Sequence, residues 1–183
     1  MKITLITGGA RSGKSRLAQE MAEKAGGPVL FVATAEAGDA EMKRRIEAHR
    51  KNRPAGWTTL EVTTDIGRAI SLNTDITKTI IIDCITLLIN NVFQKHQGIT
   101  DASALEKAVE AEINGLIRCM ERSNARFIIV TNEVGLGIVP ADEISRLYRD
   151  LLGKANQMLA EPADEVILMV AGLPVTLKKA RRH

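Results

Sequence analysis

A short stretch near the start of the sequence has the composition of a phosphate-binding loop. It consists of Gly8, Gly9, Ala10, Arg11, Ser12, Gly13, Lys14 and Ser15. The stretch matches the pattern G-x-x-x-x-G-K-[ST] and follows an apolar run over 3–6 that predicts a strand. Its glycines let backbone N–H groups turn toward phosphate oxygens, and a helix beginning near Lys14 adds the positive end of its dipole. Lys14 can reach the outer phosphates, and the Ser15 hydroxyl is the expected Mg²⁺ ligand. The spacing therefore predicts a nucleoside triphosphate site.

A carboxylate that follows a second apolar run supports this prediction. Residues 79–83 read TIIID, a buried strand that ends at Asp83. Taken alone this is weak evidence, because many strands end at a turn-forming aspartate. Together with the loop upstream, the run has the form of a Walker-B element. We therefore expect Asp83 to lie beside the loop and to hold Mg²⁺ directly or through water.

His49 could carry out a different kind of chemistry. Asp39 can cap a helix that ends near Pro54, and in that helix Met42, Ile46 and His49 share one face. Basic side chains surround the histidine, namely Lys43, Arg44, Arg45, Arg50, Lys51 and Arg53. One interpretation is a packed histidine beneath a solvated basic surface. The other is an imidazole nucleophile that attacks a phosphate whose charge the cations neutralise. The residue pattern leaves both interpretations open.

The elements that must position these residues alternate along the chain. Short runs rich in Val, Ile and Phe predict strands over 29–34, 79–83, 127–131 and 166–170, and helical periodicity predicts helices from Lys14 and over 102–122 and 141–160. Continuous apolar strands are typical of a parallel sheet covered on both faces. The end of the chain, 175–177, is expected to form an antiparallel hairpin with the strand before it. The sequence thus predicts one α/β P-loop domain over 1–183.

Composition narrows the class of protein further. The chain has 183 residues, is 45% hydrophobic and 26% charged, and has neither a predicted signal peptide nor a membrane span. Cys84 and Cys119 lack metal-ligand spacing and are expected to be buried and reduced, as in a cytoplasmic protein. With one Trp, one Tyr and a net charge of +3, the chain offers few platforms for stacking bases. This disfavours a nucleic-acid-dependent ATPase, whereas a P-loop kinase for another small molecule remains an alternative.

The order of the motifs resembles one enzyme family. The matching stretches are TGGARSGKS, VLFVATA, EMKRRIEAHRKNRPAGW followed by TLE, IIIDCIT, VTNEVGLGIVP, GKANQMLAEPADEV and AGLPVTLK. Over essentially the whole chain they resemble the bifunctional adenosylcobinamide kinase/adenosylcobinamide-phosphate guanylyltransferases of cobalamin biosynthesis. The resemblance implies a RecA-like fold, a homotrimer and two reactions. The first phosphorylates adenosylcobinamide with ATP or GTP, and the second transfers GMP from GTP through a histidine–GMP intermediate.

The resemblance also implies roles for particular residues. His49 would be the guanylylated nucleophile, and residues 8–15 would hold the triphosphate. Nucleotide contacts are implied for Ala33, Thr34, Ala35, Arg50, Lys51, Asn52, Arg53, Glu61 and Asp83. The chain has ATA where some relatives have ATS, which removes one hydroxyl, and Asp83 where some have Glu. Glu133 is interpreted only as a residue that ties down a glycine-rich loop.

Overall fold

The computed structural model describes residues 2–36, 44, 47, 53–73, 76–96 and 101–179. Their strands are β1 (Lys2–Gly8), β2 (Val29–Ala33), β3 (Thr58–Glu61), β4 (Thr79–Asp83), β5 (Arg126–Val130), β6 (Glu165–Val170) and β7 (Leu173–Lys178). The helices are α1 (Lys14–Ala25), α2 (Ile66–Ser71), α3 (Ile85–Lys95), α4 (Ala102–Arg122) and α5 (Glu143–Ala160). The helix predicted between Asp39 and Pro54 lies outside the described residues, apart from Arg44, Glu47 and Arg53.

The strands form one seven-stranded sheet in the order β3-β2-β4-β5-β1-β6-β7. Every neighbouring pair is parallel except β6 and β7, which pair as an antiparallel hairpin. The predicted α/β fold with a mostly parallel sheet and a C-terminal hairpin is confirmed. In this order β5 lies between β4, which ends in Asp83, and β1, which leads into the phosphate-binding loop.

The two faces of the sheet bury separate apolar clusters. Along β4, Ile80 and Ile82 pack with α2–α5, whereas Ile81 packs on the opposite face with α1. All three are fully buried. Because successive side chains of a strand point to opposite faces, a strand covered on both faces needs an uninterrupted apolar run. This requirement explains why β4 was recognisable from its sequence.

The ends of the elements follow local capping. Helix α5 begins at Glu143 rather than at the predicted Ala141, because the Asp142 side chain accepts a hydrogen bond from the Ser145 N–H at 2.8 Å and caps the helix. Strand β5 ends at Val130, one residue earlier than predicted. The Thr131 hydroxyl donates instead to Asn156 of α5 at 2.7 Å.

The burial of the two cysteines agrees only in part with the prediction from the sequence. Cys119 is buried as expected, whereas Cys84 is only half-buried, and both thiols are free. Among the helices that the structure describes, none is long and apolar enough to cross a membrane.

Candidate nucleotide site

The phosphate loop, residues 8–15, connects β1 to α1. Its first glycine is required by packing, because a Cβ on Gly8 would lie 2.4 Å from the backbone oxygen of Met169 in β6, and because its φ is 144°. Gly13 also has a positive φ, of 96°, where α1 begins. No described atom lies within 4 Å of a Cβ built on Gly9. The loop is therefore held closely on the β6 side and is open at Gly9.

Lys14 lies inside this loop rather than in solvent. Its Nζ donates to the Gly9 carbonyl at 2.6 Å and lies 3.5 Å from the Ser12 Oγ, and the residue is buried. Burial lowers the pKa of Lys14, an effect that the nearby Cys84 and Asp83 partly oppose. The influence of Asp83 shows that the end of β4 and the loop share one electrostatic environment. That Asp83 holds Mg²⁺ beside the loop stays a prediction.

Three of the residues named from the sequence lie in one row across the sheet. Glu61 of β3 is the register partner of Ala33 in β2, and Ala33 is the partner of Asp83 in β4. Ala35 follows β2 in the half-buried segment beyond this row. Since parallel strands end at a common edge, the row continues toward the phosphate loop at the end of β1.

Thr34 is fully buried and its hydroxyl is engaged by protein. It donates to the Cys84 carbonyl at 2.7 Å and accepts from the Cys84 N–H at 2.9 Å. Asn91 of α3 donates to the carbonyls of Thr34 and Thr63, at 2.8 and 3.1 Å. The Asp83–Cys84 peptide bond in this network is cis. The observed contacts of Thr34 make it a residue that positions the end of β4.

Aromatic and charged side chains form a cavity at the β3 end of the row. The Arg53 guanidinium lies 3.9 Å from the centre of the Phe31 ring and donates to Thr59 at 3.3 Å. Trp57 stacks on Phe31 with ring centres 6.5 Å apart. The cavity, here called the Trp57 cavity, has a volume of about 550 Å³ and is lined by Arg53, Pro54, Ala55, Trp57, Thr59 and Glu61.

Besides the strand pairing with β6, two segments of the described chain donate backbone hydrogen bonds to the phosphate loop. The Glu133 N–H donates to the Gly8 carbonyl at 3.1 Å, and the Gly172 N–H donates to the Ser12 carbonyl at 3.1 Å. Gly172 lies in the turn between β6 and β7. The Glu133 Oε1 in turn accepts from the Gly135 N–H at 2.6 Å. Glu133 therefore holds the glycine-containing segment that follows it, as expected from the sequence.

The structure gathers part of the predicted site at one edge of the sheet. The phosphate loop, Ala33, Asp83, Glu61 and Arg53 all lie along it. His49, Arg50, Lys51 and Asn52 lie outside the described residues. Sequence reasoning did not single out Trp57, Asn91 or Gly172. Asn91 could have been found as a polar residue in an apolar helical run. Gly172 could have been found from the turn at Ala171–Gly172.

The donor set near the loop suits Mg²⁺ better than a soft metal. Ser15 offers a hydroxyl and Asp83 a carboxylate, and Mg²⁺ binds hard oxygen ligands. In the described part of the chain, no group of three His, Cys, Asp or Glu residues could hold a metal by itself. The hydroxyl and the carboxylate together fit Mg²⁺, which takes most of its ligands from water and substrate phosphates.

Known proteins resemble this chain over nearly its whole length. A family model described as cobinamide kinase / cobinamide phosphate guanyltransferase matches residues 4–177. The bifunctional adenosylcobalamin biosynthesis protein CobU of Escherichia coli K12 is 40% identical over 95% of this chain and 98% of its own. CobP of Pseudomonas aeruginosa is 42% identical over 95% and 96%, and CobU of Salmonella typhimurium LT2 is 41% identical over 95% and 98%. The chain belongs to the cobinamide kinase / cobinamide phosphate guanyltransferase family.

Proposed function

We propose that the protein phosphorylates adenosylcobinamide with ATP or GTP and then transfers GMP from GTP to adenosylcobinamide phosphate. The family assignment and the names of the relatives support this pair of reactions. The observation that carries it is the continuous edge that runs from the phosphate loop past Asp83 to the Trp57 cavity. Such an edge offers one end for phosphates and another for a base.

The dimensions of the sheet support binding of one extended nucleotide along this edge. β3 and β1 are four strand spacings apart, or roughly 19 Å at about 4.8 Å per spacing. An extended nucleoside triphosphate has a comparable length. With the outer phosphates on the loop, the base can enter the Trp57 cavity. There the Glu61 carboxylate can accept hydrogen bonds from the N–H groups of guanine, which adenine does not present in the same arrangement.

The kinase step needs positioning and neutralisation of charge. The phosphate loop and Lys14 bind the nucleotide, and the substrate hydroxyl attacks the γ-phosphorus. In this proposal Ser15 and Asp83 hold Mg²⁺, which supplies positive charge beside the phosphates when bound. Lys14 is suited to the role, because its ammonium group already lies within the loop against the Gly9 carbonyl.

Guanylyl transfer needs a nucleophile in addition, and we assign that role to His49. A neutral imidazole nitrogen attacks the α-phosphorus, a P–N bond forms, and the bond to the bridging oxygen breaks as pyrophosphate leaves. The phosphate of adenosylcobinamide phosphate then attacks the same phosphorus and releases the imidazole. The product is adenosylcobinamide-GDP. Splitting the transfer into two displacements gives each one a good leaving group.

Assembly into a cytoplasmic homotrimer is part of the proposal. Its structural support is the edge strand β7, along which Leu173, Val175 and Leu177 expose large apolar surfaces. An exposed apolar edge strand favours association with another chain. Light scattering of the purified protein tests this part, and a monomer at micromolar concentration would contradict it.

Incubation with GTP labelled at the α-phosphate tests the covalent step. The protein should retain a label that is released by acid and stable to base, as expected for a phosphoramidate. His49→Ala should retain no label and form no adenosylcobinamide-GDP, yet still phosphorylate adenosylcobinamide. His96→Ala is the matched control, since His96 lies at the end of α3 with its Nδ1 2.8 Å from the Val92 carbonyl. Full labelling of His49→Ala would contradict the role of His49.

A further inference from the structure

The backbone of Glu133 contacts Gly8 in the phosphate loop, and neither reaction described above gives Glu133 a role. Two described segments outside the sheet pairing donate backbone hydrogen bonds to the phosphate loop. The one at Gly172 belongs to the sequence Val170-Ala171-Gly172, which has no ionisable side chain. The other places the backbone of Glu133, an ionisable residue, beside the first residue of the loop. Transfer of a phosphoryl group to a hydroxyl requires a group that takes the hydroxyl proton.

The sheet fixes where Glu133 lies. Beyond the end of β5, the Thr131 N–H donates to the Ile6 carbonyl at 3.0 Å, and the Glu133 N–H donates to the Gly8 carbonyl at 3.1 Å. The chain therefore continues alongside β1 to the start of the phosphate loop. Because β5 lies between β1 and β4, Glu133 stands at the edge between the loop and the strand that carries Asp83.

The carboxylate of Glu133 is anchored through one oxygen. Oε1 accepts from the Gly135 N–H at 2.6 Å, whereas Oε2 accepts no hydrogen bond from the residues that the structure describes. The side chain is half-buried, so an approaching substrate can reach it. The loop that follows is apolar and open, with Leu136 86% and Ile138 96% exposed. A bulky acceptor with apolar surface can lie against this loop while its hydroxyl points toward Gly8.

The other carboxylates of the edge are less suited to this role. Asp83 is the expected ligand of Mg²⁺. Glu61 lies on β3, roughly 19 Å from β1 along the sheet. Among the described segments that are hydrogen-bonded to the phosphate loop, Glu133 is the remaining acid that could take the proton of the acceptor hydroxyl.

We propose that Glu133 is a catalytic residue of the kinase step, which receives the proton of the acceptor hydroxyl. This assignment rests on the proposed function and deepens it. The O–H bond breaks as its proton passes to Oε2, and the hydroxyl oxygen forms a bond to the γ-phosphorus. The bond from the γ-phosphorus to the bridging oxygen breaks, and its electron pair leaves with the nucleoside diphosphate. Water then takes the proton from Glu133.

Glu133→Gln separates this role from that of a structural tie. The amide oxygen of Gln can still accept from the Gly135 N–H, so the loop keeps its anchor, but the side chain takes up no proton at neutral pH. We expect kcat for phosphorylation of adenosylcobinamide to fall about 10²–10⁴-fold. Binding of GTP and guanylyl transfer to supplied adenosylcobinamide phosphate should remain close to those of the unaltered protein.

Glu143→Gln is the matched control, because it removes the same charge from an exposed acid in the first turn of α5. It should leave both reactions unchanged. Phosphorylation by Glu133→Gln at the unaltered rate would overturn the assignment, as would an equal loss of GTP binding and of both reactions. If the unaltered protein failed to phosphorylate adenosylcobinamide, the proposed function would fall and this assignment with it.

Discussion

The Thr34 hydroxyl is hydrogen-bonded twice to the backbone of Cys84. It donates to the Cys84 carbonyl at 2.7 Å and accepts from the Cys84 N–H at 2.9 Å, while the Thr34 N–H donates to the Asp83 carbonyl at 3.3 Å. One buried side chain thus satisfies both backbone groups of the residue that follows Asp83. The backbone on both sides of the Asp83–Cys84 peptide bond is therefore held by Thr34.

Replacement of Thr34 should therefore act through Asp83. Thr34→Val keeps the shape but leaves the Cys84 N–H without its partner, whereas the Cys84 carbonyl keeps the hydrogen bond from the Leu88 N–H at 3.2 Å. The loss should cost about 1–3 kcal/mol of unfolding free energy. Thr34→Ser keeps the hydroxyl and should retain most of the stability. Urea unfolding of the two variants measures the difference. Equal stability of Val and Ser variants would show that these hydrogen bonds contribute little.

Asp83→Asn should raise the Mg²⁺ concentration that half-saturates both reactions. A neutral amide holds a hydrated divalent cation less well than a carboxylate does. Titration of activity with Mg²⁺ at fixed nucleotide gives the measurement, and circular dichroism checks that the variant is folded. An unchanged Mg²⁺ dependence would demote Asp83 to a structural strand end.

The first two glycines of the phosphate loop should respond differently to alanine. Gly8→Ala forces a Cβ to within 2.4 Å of the Met169 carbonyl oxygen and should destabilise the fold by about 2 kcal/mol. Gly9→Ala meets no described atom within 4 Å, so its stability should change by less than about 1 kcal/mol. Its methyl group would stand where phosphates approach, so nucleotide binding should weaken. Thermal melts and GTP titration of both variants separate the two effects, and normal GTP affinity in Gly9→Ala would refute the second.

Alkaline pH should destabilise the protein through Cys84. Burial raises the pKa of the Cys84 thiol from 9.0 to about 11, and the neighbouring Asp83 charge adds to the effect. Between these values the folded chain keeps a proton that the unfolded chain has lost. The protonated Cys84 thiol therefore contributes fully to the unfolding free energy below pH 9, and this contribution is lost as the pH rises through 11.

The size of this loss should be of the order of 2 kcal/mol. Lys14 and Tyr148 also have shifted pKa values, so the measurement compares the unaltered protein with Cys84→Ala at each pH. The unfolding free energy of Cys84→Ala should fall less steeply from pH 8 to pH 11. Parallel curves would contradict the prediction.

Sequence patterns predicted those parts of the fold that local chemistry determines. Strand β4 was predictable because burial on both faces of the sheet requires an apolar run. The phosphate loop was predictable because its unusual backbone angles require glycines. Strand β3 was not predicted, because it is four residues long and mostly exposed, and so lacks an apolar run. Helix α2 has six residues, too few for a clear periodicity.

The site was predictable in its parts but not in its arrangement. The order of the strands, which places Glu133 between the loop and Asp83, depends on pairings between distant segments that no local pattern records. The hydrogen bonds of Thr34 to Cys84 could not be predicted either, because the sequence pattern of a threonine after a strand is the same whether its hydroxyl binds a ligand or the protein backbone. The Trp57 cavity depends on Phe31, a residue of another strand.

The bond between Gly172 and Ser12 has a consequence for how the protein is made. The phosphate loop is synthesised at least 150 residues before β6 and the Gly172 turn, which hold it on one side. A growing chain on the ribosome therefore carries the complete nucleotide-binding motif without the support that shapes it. Nucleotide affinity should appear only after residue 172 has emerged, so GTP would recognise the finished protein and not its nascent fragments.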